Sequence, residues 1–310
     1  MTIGNYFSTA RSKHRSAIQA GSLRVLQALP VGHRIELDRG DSYYREVEGP
    51  AQAPTLLLLH GWMATGGLNW LRGFEALGRE FRVIAPDLRG HGDSEWAVGS
   101  SYALSEYVYD LAQLIHQTGV APVPIIGHSL GGMIALRYAG VYPDNVSRLV
   151  AIEGLGGTRE MHAKAAAKPP NERLGKWIDL TRGLSGRLPR RYDSLEDAYR
   201  RMENENPHLT AEQARHLTVH GANQNEDGTF SWKFDNYVRI FPAYDLPEDQ
   251  VHALWARIAC PGLRPSSPDG SWSEMTRRSS SSTTLCQSVL PVRRQRLCRI
   301  HYQLCEACRC

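Results

Sequence analysis

The chain of 310 residues lacks three features that would each point to a particular class of protein. It has no run of 18 apolar residues, so no membrane span is expected. The N-terminal segment carries Arg11, Lys13 and Arg15 but no apolar block like that of a signal peptide, and we expect a cytoplasmic protein. The formal net charge is only +4, which is weak support for a polyanionic partner. A nucleic-acid ligand is therefore not expected.

Cysteine is also scarce, since the first 259 residues contain none. A chain of this length suits one large α/β domain with an insertion, and a core of that size needs no disulfide bonds. The apolar fraction of 42% and the charged fraction of 22% are ordinary for a soluble globular enzyme.

Short apolar runs that alternate with helical patterns dominate the first half of the chain. The runs predict buried strands, and apolar residues on one face predict a helix that starts near Leu104. This alternation favours a mostly parallel sheet flanked by helices. A hairpin with its turn at Arg39–Asp41 should form the antiparallel edge, and a further helix is predicted over Ser16–Leu29. The predicted strands are His33–Asp38, Ser42–Glu48, Thr55–Leu59, Phe81–Pro86, Val123–Ile126 and Val146–Ile152.

The segment from Val123 to Met133 has the pattern of a nucleophile elbow. Its strand leads through Gly-His-Ser-Leu-Gly directly into a helix. Gly127 and Gly131 stand where larger side chains would meet the backbone of a tight turn. Ser129 is then exposed at the positive end of the helix, where the Leu130 N–H can bind an oxyanion. The alternative is a glycine-rich turn with an incidental serine.

Two other motifs precede the elbow. His60-Gly61-Trp62 follows the third strand, where the Trp62 N–H could supply a second oxyanion donor. The loop that starts at Asp87 also contains His91 and Asp93, and all three side chains are of types that bind metals. No further ligand cluster accompanies them, so we interpret the loop as one that satisfies its own backbone and expect no metal or cofactor.

These motifs together resemble the α/β-hydrolase superfamily, in the branch that holds esterases, cofactor-free haloperoxidases, epoxide hydrolases and haloalkane dehalogenases. The resemblance covers roughly residues 33–260. It implies that Ser129 is the nucleophile and that the N–H groups of Trp62 and Leu130 form the oxyanion hole. Similar epoxide hydrolases and dehalogenases carry aspartate at the elbow, so the serine argues against those two activities.

Glu153 directly follows the predicted strand Val146–Ile152, at the sheet edge where a carboxylate could orient a catalytic histidine. It is the candidate triad acid. The equally weighted alternative is a glutamate that accepts hydrogen bonds from backbone N–H groups in the glycine-rich turn.

A charged, helical segment follows, in which Ser194 and Thr210 mark helix starts. The domains expected are an N-terminal helical extension (1–30), the first part of the hydrolase core (31–157), a helical cap (158–247), a return to the core (248–262) and an atypical tail (263–310).

The C-terminal stretch differs from the rest in composition. Residues 261–310 contain eight Arg, no Lys, three acidic residues, nine Ser and five of the six cysteines. We expect a disordered basic tail rather than a zinc knuckle. The superfamily would place a seventh and an eighth strand and the catalytic histidine here, so we hypothesise a shifted reading frame, with a divergent tail as the alternative. Asp269 remains as an alternative acid and His301 as the candidate base.

The sequence therefore predicts a serine hydrolase that cleaves a small carboxylic ester or lactone through an acyl-enzyme. A carbon-carbon bond hydrolase or a cofactor-free haloperoxidase would use the same triad. A catalytically impaired binding protein is the alternative from another class, because the strand that carries histidine is missing. The expected partner is a small-molecule substrate.

Overall fold

A computed structural model describes residues 28–97, 102–156, 160, 163–164, 167–187 and 189–263. The strands of the main sheet are β1 Val31–Leu37, β2 Gly40–Val47, β3 Thr55–Leu59, β4 Arg82–Asp87, β5 Val123–His128, β6 Val146–Ile152 and β9 Gly262–Leu263. They lie side by side in the order β1-β2-β4-β3-β5-β6-β9. The first two strands pair antiparallel with their neighbours, and the pairs from β4 to β9 are parallel.

Helices cover both faces of this sheet. Along β3, Leu57 and Leu59 pack in one hydrophobic cluster and Leu56 and Leu58 in another, because successive strand side chains point to opposite faces. A continuous apolar run is thus what a strand buried on both sides requires. The helices of the sheet layers are α1 Gly66–Asn69, α2 Leu71–Leu77, α3 Leu104–Thr118, α4 Leu130–Val141 and α8 Glu248–Ala256.

The predicted architecture, a mostly parallel α/β sheet, is confirmed, and most strand limits agree within one or two residues. The hairpin turn was predicted one residue too late, because Leu37 pairs with Gly40 and leaves Asp38 and Arg39 as a two-residue loop. Gly40 has φ +116, which lets β2 begin there. Of the predicted helix Ser16–Leu29, only the last two residues lie within the described part, and they are not helical.

An insert, the described residues between 160 and 247, separates β6 from α8. Its helices are α5 Pro170–Leu184, α6 Leu195–Glu205 and α7 Ala211–Gly221, and its small antiparallel sheet pairs β7 Ala222–Gln224 with β8 Phe230–Trp232. The predicted helix starts are confirmed. Ser194 Oγ accepts the Asp197 N–H, and Thr210 and Gln213 form a reciprocal capping box.

The second half of the insert is bound to the core by backbone and side-chain bonds. Gly92 N donates to Lys233 O at 2.6 Å, and Asp235 N donates to Gly90 O at 2.8 Å. The Tyr102 hydroxyl donates to Asp235 Oδ2 at 2.6 Å. We call residues 233–238 the clamp segment, since they fix the insert to the loop that follows β4.

The sheet continues to β9, which pairs parallel with β6 through Leu149–Gly262 and Val150–Leu263. The resemblance to the superfamily places the start of the seventh strand here, whereas we expected the rest of that strand to be missing. The remaining predicted features of the C-terminal tail lie outside the described residues. No helix in the described ranges has the length and apolar character needed to cross a bilayer.

Candidate active site

Three of the candidate residues follow neighbouring parallel strands at the same edge of the sheet. Leu59 at the end of β3 aligns with Gly127 of β5, and His128 aligns with Ile152 at the end of β6. Trp62, Ser129 and Glu153 therefore emerge at the carboxyl ends of these strands, where open α/β sheets bind their ligands.

Ser129 sits in a strained turn between β5 and α4. Its φ of +48 and ψ of −114 lie outside the regions that non-glycine residues usually occupy. Its N–H donates to Ile152 O at 2.8 Å, which ties the turn to β6. A Cβ at Gly127 would overlap the carbonyl of Gly131, and one at Gly131 would overlap the carbonyl of Leu59. The elbow geometry thus requires glycine on both sides of the serine.

Leu130 is the first residue of α4 and is buried. The first N–H groups of a helix have no partner within the helix, and they carry the positive end of its dipole. The next N–H, that of Gly131, donates to His60 O at 3.1 Å. This bond holds the His60–Trp62 turn against the start of α4.

The backbone and the side chain of Trp62 contact different parts of the molecule. Its backbone belongs to the turn that His60 anchors on the elbow. Its indole Nε1 donates to Val238 O at 2.9 Å, and its ring lies 5.9 Å from the ring of Phe241. The indole therefore links the candidate oxyanion turn to the insert.

The half-buried side chain of Asn69 is hydrogen-bonded to this turn, and sequence reasoning missed it. Asn69 Oδ1 accepts the Gly61 N–H at 3.0 Å and lies 3.0 Å from His128 Nδ1. A Cβ at Gly61 would stand 2.7 Å from the same histidine nitrogen. No local pattern marks Asn69, because its contacts arise only when β3, β5 and α1 come together.

Glu153 directly follows the residue that accepts the Ser129 N–H. It is exposed and has φ +52, an uncommon conformation for glutamate. It thus lies beside the elbow, as a triad acid or a turn residue would. Asp269 and His301 lie outside the described residues, and among those described no histidine forms a hydrogen bond with the Ser129 hydroxyl.

The loop after β4 satisfies part of its own backbone, as the sequence suggested, while the clamp segment binds another part. His91 N donates to Leu88 O at 2.9 Å. Asp87, at the end of β4, accepts the Asp93 N–H of the loop through Oδ2 at 2.9 Å and the Gly66 N–H of α1 through Oδ1 at 2.7 Å. Burial raises the Asp87 pKa to about 6, an effect to which the nearby Asp93 charge adds. Within the described residues no group of three potential metal ligands comes together.

Two buried histidines, His60 and His91, lie next to each other, with ring centroids 5.2 Å apart. His60 Nε2 accepts the Leu88 N–H at 2.8 Å, so its proton is on Nδ1, which lies 2.7 Å from Gly61 O. Burial, followed by the neighbouring His91, lowers the His60 pKa well below 6.5. Burial also lowers the His91 pKa to about 4. Both rings are therefore neutral at pH 7.

Several curated proteins are similar to parts of the chain. It is 35% identical over 153 residues to the magnesium-chelatase 30 kDa subunit of Rhodobacter capsulatus, covering 43% of this chain and 53% of that protein. It is 28% identical over 209 residues to an esterase of Mycobacterium tuberculosis, covering 66% and 64%. The chain thus spans about half the length of the first of these relatives.

Solved structures and a family model give the wider relationship. A hypothetical protein from Pseudomonas aeruginosa superposes with a TM-score of 0.63 at 24% identity, over 75% of this chain and 80% of that chain. The thioesterase domain from the curacin biosynthetic pathway gives 0.60 at 22% identity, over 77% and 82%. A family model described as the alpha/beta hydrolase fold matches residues 54–234, which is more than half of the sequence. The chain belongs to the alpha/beta hydrolase family.

Proposed function

We propose that the chain is a serine hydrolase that cleaves a small carboxylic ester or lactone through an acyl-enzyme. The observation that carries this proposal is the strained Ser129 at the start of α4, with the His60–Trp62 turn hydrogen-bonded to the same helix start. Non-glycine residues in such a conformation cluster at functional sites, because a stable scaffold must hold them there. The family membership supports hydrolase chemistry.

In the first half of the reaction, Ser129 Oγ attacks the substrate carbonyl carbon while a histidine accepts the hydroxyl proton. Negative charge develops on the carbonyl oxygen, and the N–H groups of Trp62 and Leu130 stabilise it. The tetrahedral intermediate then breaks its bond to the leaving alcohol, which takes the proton from the histidine. The acyl group remains on Ser129.

In the second half, water attacks the acyl-enzyme and gives its proton to the same histidine. The acid product leaves, and Ser129 recovers its proton. His301 is the candidate histidine, and Glu153, or Asp269 as the alternative, is the candidate acid that orients it. This mechanism uses no metal or cofactor.

We further assign residues 158–247 as a cap over the site. Residue Trp62 is 41% exposed and residue Phe241 64%, and their ring centroids lie 5.9 Å apart where the insert meets the candidate oxyanion turn. An aromatic pair at this position favours a substrate with an apolar group attached to the ester.

A fluorophosphonate probe tests the nucleophile directly. The wild type should form an adduct that mass spectrometry maps to Ser129, and Ser129→Ala should not be labelled. Turnover of p-nitrophenyl esters should fall by about 10⁴- to 10⁶-fold in this variant. Ser147→Ala, at an exposed serine on β6, is the matched control and should be labelled like the wild type. Undiminished labelling of Ser129→Ala would exclude this nucleophile.

The acid is tested separately with Glu153→Gln, which keeps the shape of the side chain and removes its charge. If Glu153 is the triad acid, kcat should fall by about 10⁴-fold while the circular dichroism spectrum is unchanged. Wild-type turnover would return Glu153 to a structural role in the turn. Ligand affinity without any turnover in the wild type would instead favour a binding protein.

A further inference from the structure

The amide of Asn69 occupies a central place between the two halves of the candidate site. Its Oδ1 lies 3.0 Å from Gly61 N and 3.0 Å from His128 Nδ1. Gly61 directly precedes Trp62, and His128 directly precedes Ser129. One oxygen atom thus binds the residues before the proposed oxyanion donor and before the proposed nucleophile.

The orientation of this amide follows from its partners. The Gly61 N–H can only donate, so the atom that faces it must be the carbonyl oxygen of Asn69. Because that oxygen can only accept, the proton on His128 must be on Nδ1 when it makes this bond. The arrangement therefore fixes the tautomer of the residue next to Ser129.

The donor side of the amide has no partner among the described residues. Asn69 Nδ2 is buried and makes no hydrogen bond with any part of the chain that the structure describes. Buried polar groups are usually satisfied, so an amide held only by its oxygen is costly to the fold. This cost indicates that the position needs an acceptor here, beyond what stability alone would select.

We propose that Asn69 is a positioning residue that sets the separation between the Ser129 hydroxyl and the Trp62 N–H. This inference rests on the proposed function, because it assigns those two groups to the same reaction. The packing leaves little room for adjustment, since a Cβ at Gly61 would stand 2.7 Å from His128 Nδ1. Loss of the shared acceptor should let the His60–Trp62 turn and the elbow move apart.

The kinetic test compares Asn69→Ala, Asn69→Asp and a control. Asn69→Ala should lower kcat by about 10- to 100-fold with KM within twofold, because small misplacement of reacting groups reduces the chemical step. Asn69→Asp keeps an acceptor of the same shape and should restore most of the activity. The control is Asn145→Ala. Asn145 lies after the C-terminal end of α4, and its amide donates to the Tyr138 hydroxyl. The kcat and KM of this variant should equal those of the wild type.

Two outcomes of these kinetics would overturn the proposal. One is a wild-type kcat in Asn69→Ala. The other is an Asn69→Asp variant as impaired as the alanine variant, because aspartate keeps both the shape and the acceptor oxygen that the proposal requires. If Asn69→Ala does not fold, Asn69→Ser takes its place with the same criteria.

A second measurement is independent of catalysis. Nitrogen NMR of the wild type at pH 7, with the His128 signals assigned by their loss in His128→Gln, should show the proton on Nδ1. Hydrogen exchange of residues 58–64 should become faster in Asn69→Ala and stay normal in Asn145→Ala. An Nε2–H tautomer, or unchanged exchange, would overturn the role of Asn69 even if Ser129 proves reactive. A wild type that neither turns over esters nor takes the probe would instead reject the proposed function, while tautomer and exchange still decide the positioning.

Discussion

The sheet core and the insert are stabilised in different ways. In the core, backbone approaches backbone so closely that glycine is required, as between Gly132 and Gly154, where a Cβ on the former would lie 2.7 Å from the Cα of the latter. In helix α5 of the insert, a Cβ on Gly175 or Gly183 would meet no other described residue within 4 Å apart from the backbone of the helix itself. Helix α5 contains no buried residue at all.

This difference indicates which part of the candidate site can move. Ser129, Leu130 and the His60–Trp62 turn belong to the tightly packed core, so their geometry is set by the fold itself. The clamp segment is attached to the core by several buried hydrogen bonds. In helix α5, Arg173 donates to Ala243 O at 3.1 Å and stacks on Tyr244, and both partners belong to the insert itself. Stability should therefore decrease from the core to the clamp segment and then to α5.

The largest expected effect comes from adding one methyl group at the elbow. In Gly131→Ala the new Cβ would overlap the Leu59 carbonyl, and neither β3 nor α4 can shift without breaking the sheet layer. We expect a loss of about 3 kcal/mol or more in the free energy of unfolding. Urea denaturation measures it, and a loss below 1 kcal/mol would show that the elbow is less tightly packed than described.

Acid should weaken the core through its buried histidines. Burial lowers the His91 pKa to about 4, from 6.5 in the unfolded chain, so the unfolded state binds the proton first. Above pH 6.5 this histidine costs the fold nothing. As the pH falls from 6.5 towards 4, the free energy of unfolding should decrease by about 3 kcal/mol because the unfolded chain takes up the proton. The lowered pKa of His60 acts in the same direction.

Asp87 opposes this trend, because burial raises its pKa to about 6 from 3.8 and the folded state gains stability as the pH falls between these values. The stability gained by protonating Asp87 should offset about the stability lost at one of the two histidines, so the free energy of unfolding still falls in acid. Urea denaturation from pH 7.5 to pH 4.5 should show a lower free energy of unfolding in acid, and Asp87→Asn should make the decrease steeper. Constant stability across this range would contradict the neutral, buried state of the histidines.

The core was also the part that the sequence predicted best. The limits of β3 and β6 agree with the structure because continuous apolar runs between polar residues mark strands buried on both faces. The elbow could be located because its glycines and serine lie within five successive residues. The roles of Asn69 and the clamp segment could not be predicted, since Asn69 meets His128 and the clamp segment meets Tyr102 only in the folded topology.

The attachment of the clamp segment can be weakened without touching the elbow. Tyr102→Phe removes the hydroxyl that donates to Asp235 Oδ2 and accepts the Ala97 N–H, and both side chains are buried. The free energy of unfolding should fall by about 1.5–3 kcal/mol, because a buried carboxylate loses a hydrogen bond. Limited proteolysis should then cleave the insert faster. Tyr109→Phe, whose exposed hydroxyl donates to Asp38, is the control and should show no measurable change.

The smallest effect should appear in helix α5, where the same Gly→Ala change that disrupts the elbow should stabilise. Gly183 lies in the last turn of α5 with open space around it, and alanine favours the helix by about 0.5–1 kcal/mol over glycine. Because α5 contains no fully buried residue, we expect it to open before the core unfolds, so the gain should stay local. Hydrogen exchange within residues 170–184 should slow by about two- to fivefold while the midpoint of urea denaturation is unchanged. An equal rise in global stability would show instead that α5 unfolds together with the sheet, and the ranking of the two regions would then be wrong.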